Sequence, residues 1–184
     1  HGWSRSPYSY NKIAKENLKL DPRFIFTNMG FNLRPTDVQA AIGFNQLKGL
    51  TQFSKIRLLN RAKIIKALKK SKKWKNQFTF IEPIKGLEPS WFGLPILINK
   101  KYLNKKKKFL SFLNKNYIET RPIISGNFLN QPSIKLYKLN SKKEFFKGAQ
   151  EIDNRGFFIG IHINKITEKQ LKLLENKLLK IDEI

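Results

Sequence analysis

GFNLRPTDVQAAIGFNQL, residues 30–47, is the stretch that decides how the chain is organised. Pro35 suits a first helical turn, where its missing N–H is not needed, and Asp37 suits the positive end of a helix dipole. Apolar side chains then recur at spacings of three and four as far as Ile64. This periodicity predicts one long helix over residues 35–71.

The residues just before this helix have the chemistry of an anion-binding loop. Gly30 permits a tight backbone, Asn32 carries an amide that can donate to a phosphate oxygen, and Arg34 offers a planar cationic fork. A structural interpretation is also open, and residue types alone favour it: Asn32 would organise a turn and Arg34 would pair with a surface carboxylate. Both interpretations stay open at this point.

Beyond residue 71, strand-like and helical segments alternate. The predicted strands are 78–81, 91–98, 117–121 and 157–161, and the predicted helices are 103–116, 141–154 and 167–179. Ser141 with Glu144, and Thr167 with Gln170, have the spacing of capping boxes at two helix starts. The pattern predicts a small α/β layer with helices packed on a short sheet, and an ordered loop after Thr120.

The excess of basic residues does not by itself indicate a nucleic-acid partner. The formal net charge is +24, but only seven of the 37 basic residues are Arg, the residue that binds phosphates and bases in a bidentate manner. The densest Lys run, residues 105–108, is flanked by apolar residues, as on the wet face of an amphipathic helix. We expect no specific nucleic-acid partner, and a basic nucleic-acid-binding module is the alternative of another class.

Absent features narrow the choice of function further. The chain has no Cys, and no stretch approaches the roughly 18–20 consecutive apolar residues that span a bilayer. Phosphate-loop, dinucleotide, zinc-protease and nucleophile-elbow motifs are missing, and with only two His we expect no metal site. The opening residues from His1 lack signal-peptide features, so we expect a cytoplasmic protein without a membrane partner, and a chain cut from a longer one.

Four segments, in order along the chain, resemble one known family. Residues 30–47 are similar to GYNYRM-x-x-x-Q-A-A-x-G-x-x-Q-L, and HGWSR at residues 1–5 is similar to an HG-x-x-R element. ETRPIISGNFLNQP at residues 119–132 resembles a substrate-side loop, and NRGFFIGIHINKITEKQL at residues 154–171 resembles a closing strand and helix. These elements are those of the DegT/DnrJ/EryC1/StrS family of sugar-nucleotide aminotransferases, which depend on pyridoxal 5'-phosphate (PLP).

The resemblance implies an α/β fold of the aspartate-aminotransferase-like (type I) PLP-dependent transferases. Residues 1–54 would be the end of the large PLP-binding domain, including the start of the long helix. Residues 55–184 would be the small C-terminal domain. The exposed large-domain face of such a piece is expected to be apolar and to promote association.

The resemblance also implies roles for individual residues. Asn32 matches a residue that reaches across a homodimer interface to the phosphate of the neighbouring subunit's PLP, and Arg34 matches a residue of the same shared site. Arg121, Ser125 and Asn127 would bind the sugar or nucleotide of the substrate. A purely structural loop would use the same three residue types.

The remaining points are the role of His162 and the family residues that this chain does not contain. His162 follows a predicted strand, where it would either face the substrate or cap the strand end. In the family the Schiff-base Lys, the Asp that pairs with the pyridine nitrogen and most phosphate contacts precede the HG-x-x-R element. No catalytic residue is therefore assigned in this chain, and we expect the chain alone to be inactive.

Two reactions are compatible with the resemblance. The working hypothesis is transfer of an amino group, from glutamate, to a nucleotide-linked keto-sugar in lipopolysaccharide or other surface polysaccharide biosynthesis. The alternative is a nucleotide-sugar 3-dehydratase, because Ile123 stands where the commonest aminotransferase pattern has His. The form TR-x-x-x-S-G-N-x-x-x-Q-P is closer to the family's 3-dehydratases, in which a His replaces the Schiff-base Lys and PLP stays detached from the protein.

Overall fold

The computed structural model describes residues 12, 13, 15, 16, 18, 31, 35–124, 126–130, 134 and 143–184. The chain divides into two compact units, His1–Lys48 and Gly49–Ile184. The domain boundary expected between residues 54 and 55, from the family resemblance, stays a prediction.

Helix α1, Asp37–Lys70, confirms the long helix expected from the apolar spacing. The helix begins with a reciprocal cap, which is not among the features predicted from the sequence. The backbone N–H of Gln39 donates to Thr36 Oγ1 over 3.3 Å, and the backbone N–H of Thr36 donates to Gln39 Oε1 over 3.0 Å. These two bonds satisfy donors that a helix start otherwise leaves without partners.

The apolar side chains of α1 are exposed along most of the helix and buried near its end. The exposed members include Val38, Ile42, Leu47, Leu50 and Leu59. The buried members are Ile64, Ile65 and Leu68. The regular spacing therefore continues through two different environments, and only the last turns pack into the core of the C-terminal unit. The exposed set matches the apolar face expected on a piece of a larger domain.

A four-stranded antiparallel sheet lies at the centre of the C-terminal unit. Its strands are β1 Phe78–Phe80, β2 Gly93–Ile98, β3 Thr120–Arg121 and β4 Gly156–Gly160, in the order β1-β2-β4-β3. Ile96 of β2 lies opposite Phe157 of β4, and both side chains are fully buried. All four strands overlap the segments predicted from the sequence.

Three further helices follow the predicted order. They are α2 Lys106–Lys115, α3 Lys147–Arg155 and α4 Glu168–Leu178. Thr167 and Gln170 form the predicted capping box at the start of α4. The second predicted box involves Ser141, which lies outside the described residues. The alternation of these helices with the sheet confirms the predicted α/β class.

The end of α2 shows why the strand predicted over residues 117–121 is too long. The backbone N–H of Tyr117 donates to Asn114 O over 3.1 Å, and that of Ile118 donates to Leu113 O over 3.0 Å, which is the pattern of a Schellman cap. The φ angle of Tyr117 is 60°, a left-handed conformation that costs a residue with a Cβ roughly 1–2 kcal/mol. Only Thr120 and Arg121 are left to form β3.

Aromatic rings join the sheet to α2. The ring centroids of Phe78 and Phe109 are 5.9 Å apart, those of Phe109 and Phe157 are 6.1 Å apart, and those of Phe78 and Phe157 are 6.4 Å apart. Each such pair contributes about 0.5–1.5 kcal/mol beyond the burial of its area. Leu68 of α1 and Leu178 of α4 are fully buried in the same core.

A polar cluster around Asp182 fastens the C-terminal turn Leu179–Asp182 to the core. Gln77, itself fully buried, donates from Nε2 to Asp182 Oδ2 over 2.7 Å, and the Tyr102 hydroxyl donates to Asp182 Oδ1. Lys105 Nζ donates to the backbone carbonyl of Asp182 over 2.9 Å. Segments far apart in sequence are held together by this one carboxylate.

The same contacts set the ionisation of Asp182. Burial raises its pKa, but the hydrogen bonds from Tyr102 and Gln77, with the charges of Lys75 and Lys101, outweigh burial and leave the pKa below its usual value. A carboxylate with a lowered folded-state pKa stabilises the fold above its unfolded pKa of about 3.9, and this stabilisation is lost as the pH falls through the folded value.

Asp182→Asn is expected to lower the free energy of unfolding by about 1.5–3 kcal/mol at pH 7, because two hydrogen bonds lose their charged acceptor. Urea denaturation at neutral and acidic pH measures this difference. The gap between variant and wild type should shrink as the pH falls through the folded-state pKa of Asp182.

Glu183→Gln is the matched control. Glu183 is exposed and pairs only with Lys180 among the described residues, so the change should alter the free energy of unfolding by less than about 1 kcal/mol. Equal effects of the two substitutions would show that the Asp182 cluster has no special part in stability.

Candidate functional site

Three of the predicted substrate residues lie at the end of β3 or in the loop that follows it, and two of these are described. Arg121 is exposed, and its Nε and Nη2 donate to Glu119 Oε1 over 2.8 and 2.7 Å. Both side chains of this pair are more than half exposed to solvent, so the pair is weak and open to exchange. Ser125 lies outside the described residues.

Asn127 is buried, with 1% of its surface exposed, and its side chain is used by the protein. Its Nδ2 donates to Gln150 Oε1 over 3.0 Å, and its Oδ1 accepts from the backbone N–H of Leu129 over 3.1 Å. These contacts give Asn127 a structural role in holding the loop on α3. Its direct contact with substrate stays a prediction.

Two neighbours extend this attachment to α3. Asn130 Nδ2 donates to Asp153 Oδ2 over 2.7 Å. Gly126, with a φ of 60°, lies so close to Asp153 that an added Cβ would come within 2.2 Å of Oδ1. A side chain at residue 126 would therefore push the loop away from the helix. Both the limited space and the left-handed backbone conformation favour glycine at this position.

The tip of the loop is strained. Ile124 has a φ of 51° and is exposed, although a β-branched residue rarely adopts a left-handed conformation. Backbone strain of this kind costs of order 1–3 kcal/mol and persists only where the surrounding structure imposes it. Ile124 lies between β3 and residues 126–130, which are attached to α3.

Ile123 anchors the same loop by apolar contact. Its side chain is half-buried, and its Cδ1 lies 2.8 Å from the position that a Cβ on Gly156 would occupy. The residue that stands in place of the common His therefore packs closely over the start of β4. An imidazole at this position would lie against the same backbone.

His162 lines an open cavity of about 570 Å³ between α1, the end of α2, β4 and α4. Its Nδ1 accepts from the backbone N–H of Asn164 over 3.0 Å. This bond assigns the proton of the neutral imidazole to Nε2, which has no protein partner among the described residues. His162 thus presents a free N–H donor.

Asn60 of α1 holds the backbone that carries His162. Its Nδ2 donates to His162 O over 3.0 Å and to Asn164 O over 2.8 Å, while its Oδ1 accepts from the backbone N–H of Ile166 over 3.0 Å. The side chain is 3% exposed, so all three bonds form away from water. Asn60 is not among the residues predicted from the sequence, although an amide among the apolar positions of a helix is the available signal.

The structure brings some of the predicted site residues near one another and leaves others untested. Glu119 and His162 line the same cavity, and Glu119 is the ion-pair partner of Arg121. Asn127 instead belongs to the contacts with α3. Asn32 and Arg34 lie outside the described residues, and their amide and guanidinium donors fit the phosphate of PLP in chemistry.

Comparisons with known proteins agree with this architecture. The model of the DegT/DnrJ/EryC1/StrS aminotransferase family matches residues 8–177. The chain belongs to this family. The family expected from the four motif segments is thereby confirmed.

Curated relatives within the family carry a specific name. A GDP-4-keto-6-deoxy-D-mannose 3-dehydratase of Yersinia pseudotuberculosis is 34% identical over 184 residues, which are 98% of this chain and 44% of the relative. A protein of the same name from Escherichia coli O55:H7 is 31% identical over 164 residues, 88% of this chain and 41% of the relative. The chain thus spans less than half the length of the curated relatives it matches.

A solved structure supports the fold assignment. The E. coli GDP-4-keto-6-deoxy-D-mannose-3-dehydratase with bound hydrated PLP superposes with a TM-score of 0.77 at 28% identity, covering 97% of this chain and 44% of that one. The predicted aspartate-aminotransferase-like fold of a C-terminal portion is confirmed. Within the described part of the chain, no helix is long and apolar enough to cross a membrane, and no group of His, Asp or Glu is placed to hold a metal ion.

Asn60→Ala is expected to destabilise the C-terminal unit by at least about 2 kcal/mol, because three buried backbone groups lose their partner at once. Thermal and urea denaturation measure the loss, and hydrogen exchange at the backbone N–H of Ile166 should become faster.

Asn45→Ala on the same helix is the control. Asn45 is exposed and accepts only from Lys48 in the described structure, so its removal should change the free energy of unfolding by less than about 0.5 kcal/mol. If Asn60→Ala were as mild as this control, the three buried hydrogen bonds would not hold the segment that carries His162.

Proposed function

We propose that the full-length protein containing this chain is a PLP-dependent 3-dehydratase of a nucleotide-linked 4-keto-6-deoxy sugar. Two curated relatives above 30% identity carry this activity in their names. Among the residues of this chain, Ile123 supports it best, because it marks the loop pattern without the common His. The aminotransferase favoured from the sequence becomes the second candidate.

Packing explains how Ile123 bears on the reaction. Its side chain lies over Gly156 at the start of β4, and the loop after it is fixed to α3 through Asn127 and Asn130. The loop is therefore shaped without an imidazole. A substrate held beside it would meet Arg121, the strained Ile124 and Ser125 rather than a titrating His from this position.

PLP is the proposed cofactor, and a homodimer with a shared active site is the proposed assembly. PLP, when bound, supplies an electron sink at the substrate carbon. Asn32 and Arg34 would bind the phosphate of the PLP held by the other subunit through an amide donor and a bidentate guanidinium. The E. coli relative of known structure holds PLP in its hydrated form.

Arg121 is the cationic residue of this chain that we propose binds the substrate. Its partner Glu119 is an exposed neighbour two residues away and uses only part of the guanidinium, so the remaining N–H groups of Arg121 can contact a phosphate or carboxylate of the substrate while this pair is kept. Ser125, Asn127 and His162 are the other proposed contacts. We place the reaction in the cytoplasm, where nucleotide sugars for lipopolysaccharide and related surface polysaccharides would be made.

The second candidate is amino-group transfer from glutamate to the same kind of keto-sugar nucleotide. The name of the matched family favours it. The two candidates share PLP, the shared dimer site and the sugar pocket. They differ in whether the sugar loses its 3-hydroxyl or gains an amino group.

Incubating the purified full-length protein with PLP, glutamate and GDP-4-keto-6-deoxymannose separates the two candidates. We expect a 3-deoxy sugar nucleotide, identified by mass spectrometry and by the NMR signals of a new methylene group. An amino sugar as the main product would establish the aminotransferase and reject the dehydratase.

Asn32→Ala in the same protein is expected to weaken PLP binding by about tenfold or more, since a hydrogen bond to a charged phosphate is lost. Absorbance titration with PLP measures the affinity. Gln52→Ala, an exposed change on α1, is the control and should leave the affinity unchanged. Unaltered PLP affinity in Asn32→Ala would remove the proposed cross-subunit phosphate contact.

A further inference from the structure

Tyr117 lies at the rim of the cavity beside His162, and its side chain is not packed against the described part of the chain. It occupies the left-handed position of the Schellman cap that ends α2, where Gly is the usual residue. The residue is 99% exposed, so among the described residues its ring gains no burial in return for the strain. A large aromatic side chain held out at a cavity rim is suited to contact a ligand.

Two polar groups in the same cavity lack protein partners. His162 Nδ1 accepts a hydrogen bond from the backbone N–H of Asn164, so in the neutral ring the proton is on Nε2. No described residue accepts a hydrogen bond from Nε2. Lys165 also lines the cavity, and it makes no hydrogen bond or ion pair within the described part of the chain. Both groups are hydrogen-bond donors, and Lys165 carries a positive charge.

The carboxylate that lines the cavity is paired with a cation. Glu119 lines the cavity, but its carboxylate accepts from Arg121 over 2.7 Å. The cavity therefore favours an anion over a cation. Its charge and its free donors match a ligand that carries acceptor atoms and a phosphate.

The inner wall of the cavity is apolar. Ile118, Ile159 and Ile161 are buried there, and Leu173 of α4 is half exposed at its side. A volume of about 570 Å³ lies within the usual range for small-molecule sites. A flat ring bound against this wall would bury one of its faces on these apolar side chains.

We propose that this cavity binds the nucleotide part of the substrate. The base stacks on Tyr117, the Nε2–H of His162 donates to an acceptor on the base, and Lys165 contacts a phosphate. This inference rests on the proposed function, because it takes the substrate to be a sugar nucleotide, and it deepens that function by assigning nucleotide recognition to residues of this chain.

Calorimetric titration of the full-length protein with GDP tests the stacking contact. Tyr117→Gly removes the ring and relieves the left-handed strain, so we expect the dissociation constant to rise by at least about fivefold while thermal stability is kept or increased. Tyr117→Phe keeps the ring in the same strained position and should bind within about twofold of wild type. Loss of binding with raised stability cannot come from misfolding.

The phosphate contact has its own matched pair of variants. Lys165→Gln should weaken GDP binding and make the affinity less dependent on salt, whereas Lys169→Gln, an exposed Lys on the first turn of α4, should leave the affinity unchanged. Guanosine, which lacks the phosphates, should be sensitive to Tyr117→Gly and insensitive to Lys165→Gln.

The outcomes separate this inference from the proposed function. Unchanged GDP affinity in Tyr117→Gly, or no GDP binding by the wild type, overturns the inference even if PLP binds and the sugar is converted. Affinity that depends on Tyr117 and Lys165 in a protein that neither binds PLP nor converts the sugar supports the nucleotide site and rejects only the proposed reaction.

Discussion

The three hydrogen bonds of Asn60 are the interaction on which the C-terminal unit depends. They connect a buried side chain of α1 to the backbone at His162, Asn164 and Ile166, roughly one hundred residues later in the chain. Segment 162–166 leads from β4 into the capping box of α4. One amide thus fixes the direction in which the last helix leaves the sheet, and the position of His162 follows from the same bonds.

A second set of amides fixes the loop after β3. Asn127 and Asn130 contact α3, and the contact of Gly126 with Asp153 leaves no room for a side chain. The strain is concentrated next to these contacts, at Ile124. Polar groups that satisfy one another inside the protein are strongly orienting, because a buried partner left alone costs more than the bond gains. The loop that is proposed to meet the sugar is therefore held from within the C-terminal unit.

Local patterns in the sequence were sufficient for most of the fold. Three predictions depend on residues within a few positions of one another, and the structure agrees with each. They are the helix expected from the spacing of apolar residues along α1, the alternation of strands with helices, and the capping box of Thr167 and Gln170. Asn60 could not be singled out in this way, since its partners are distant in sequence. The strand predicted over residues 117–121 is too long at Tyr117, where Gly, the usual sign of a left-handed helix end, is absent. The exposed apolar side chains of α1 have the same spacing in the sequence as the buried ones, so spacing alone does not show which of them pack into a core.

The candidate site was predictable in part. Arg121 and His162 are predicted from motif segments and residue type. The structure adds that Arg121 pairs with Glu119, whereas the second ring nitrogen of His162 has no partner among the residues that are described. The structural role of Asn127 depends on Gln150, which no local pattern indicates. Asn32 and Arg34 rest on the resemblance and on the chemistry of their donors.

We propose that this chain belongs to a 3-dehydratase in which PLP is not bonded to a lysine. Borohydride treatment of the full-length protein loaded with PLP, followed by intact mass spectrometry, tests it most directly. The account predicts a polypeptide whose mass is unchanged and from which the cofactor can be removed. A pyridoxyl group fixed covalently to a lysine would contradict it and identify an aminotransferase.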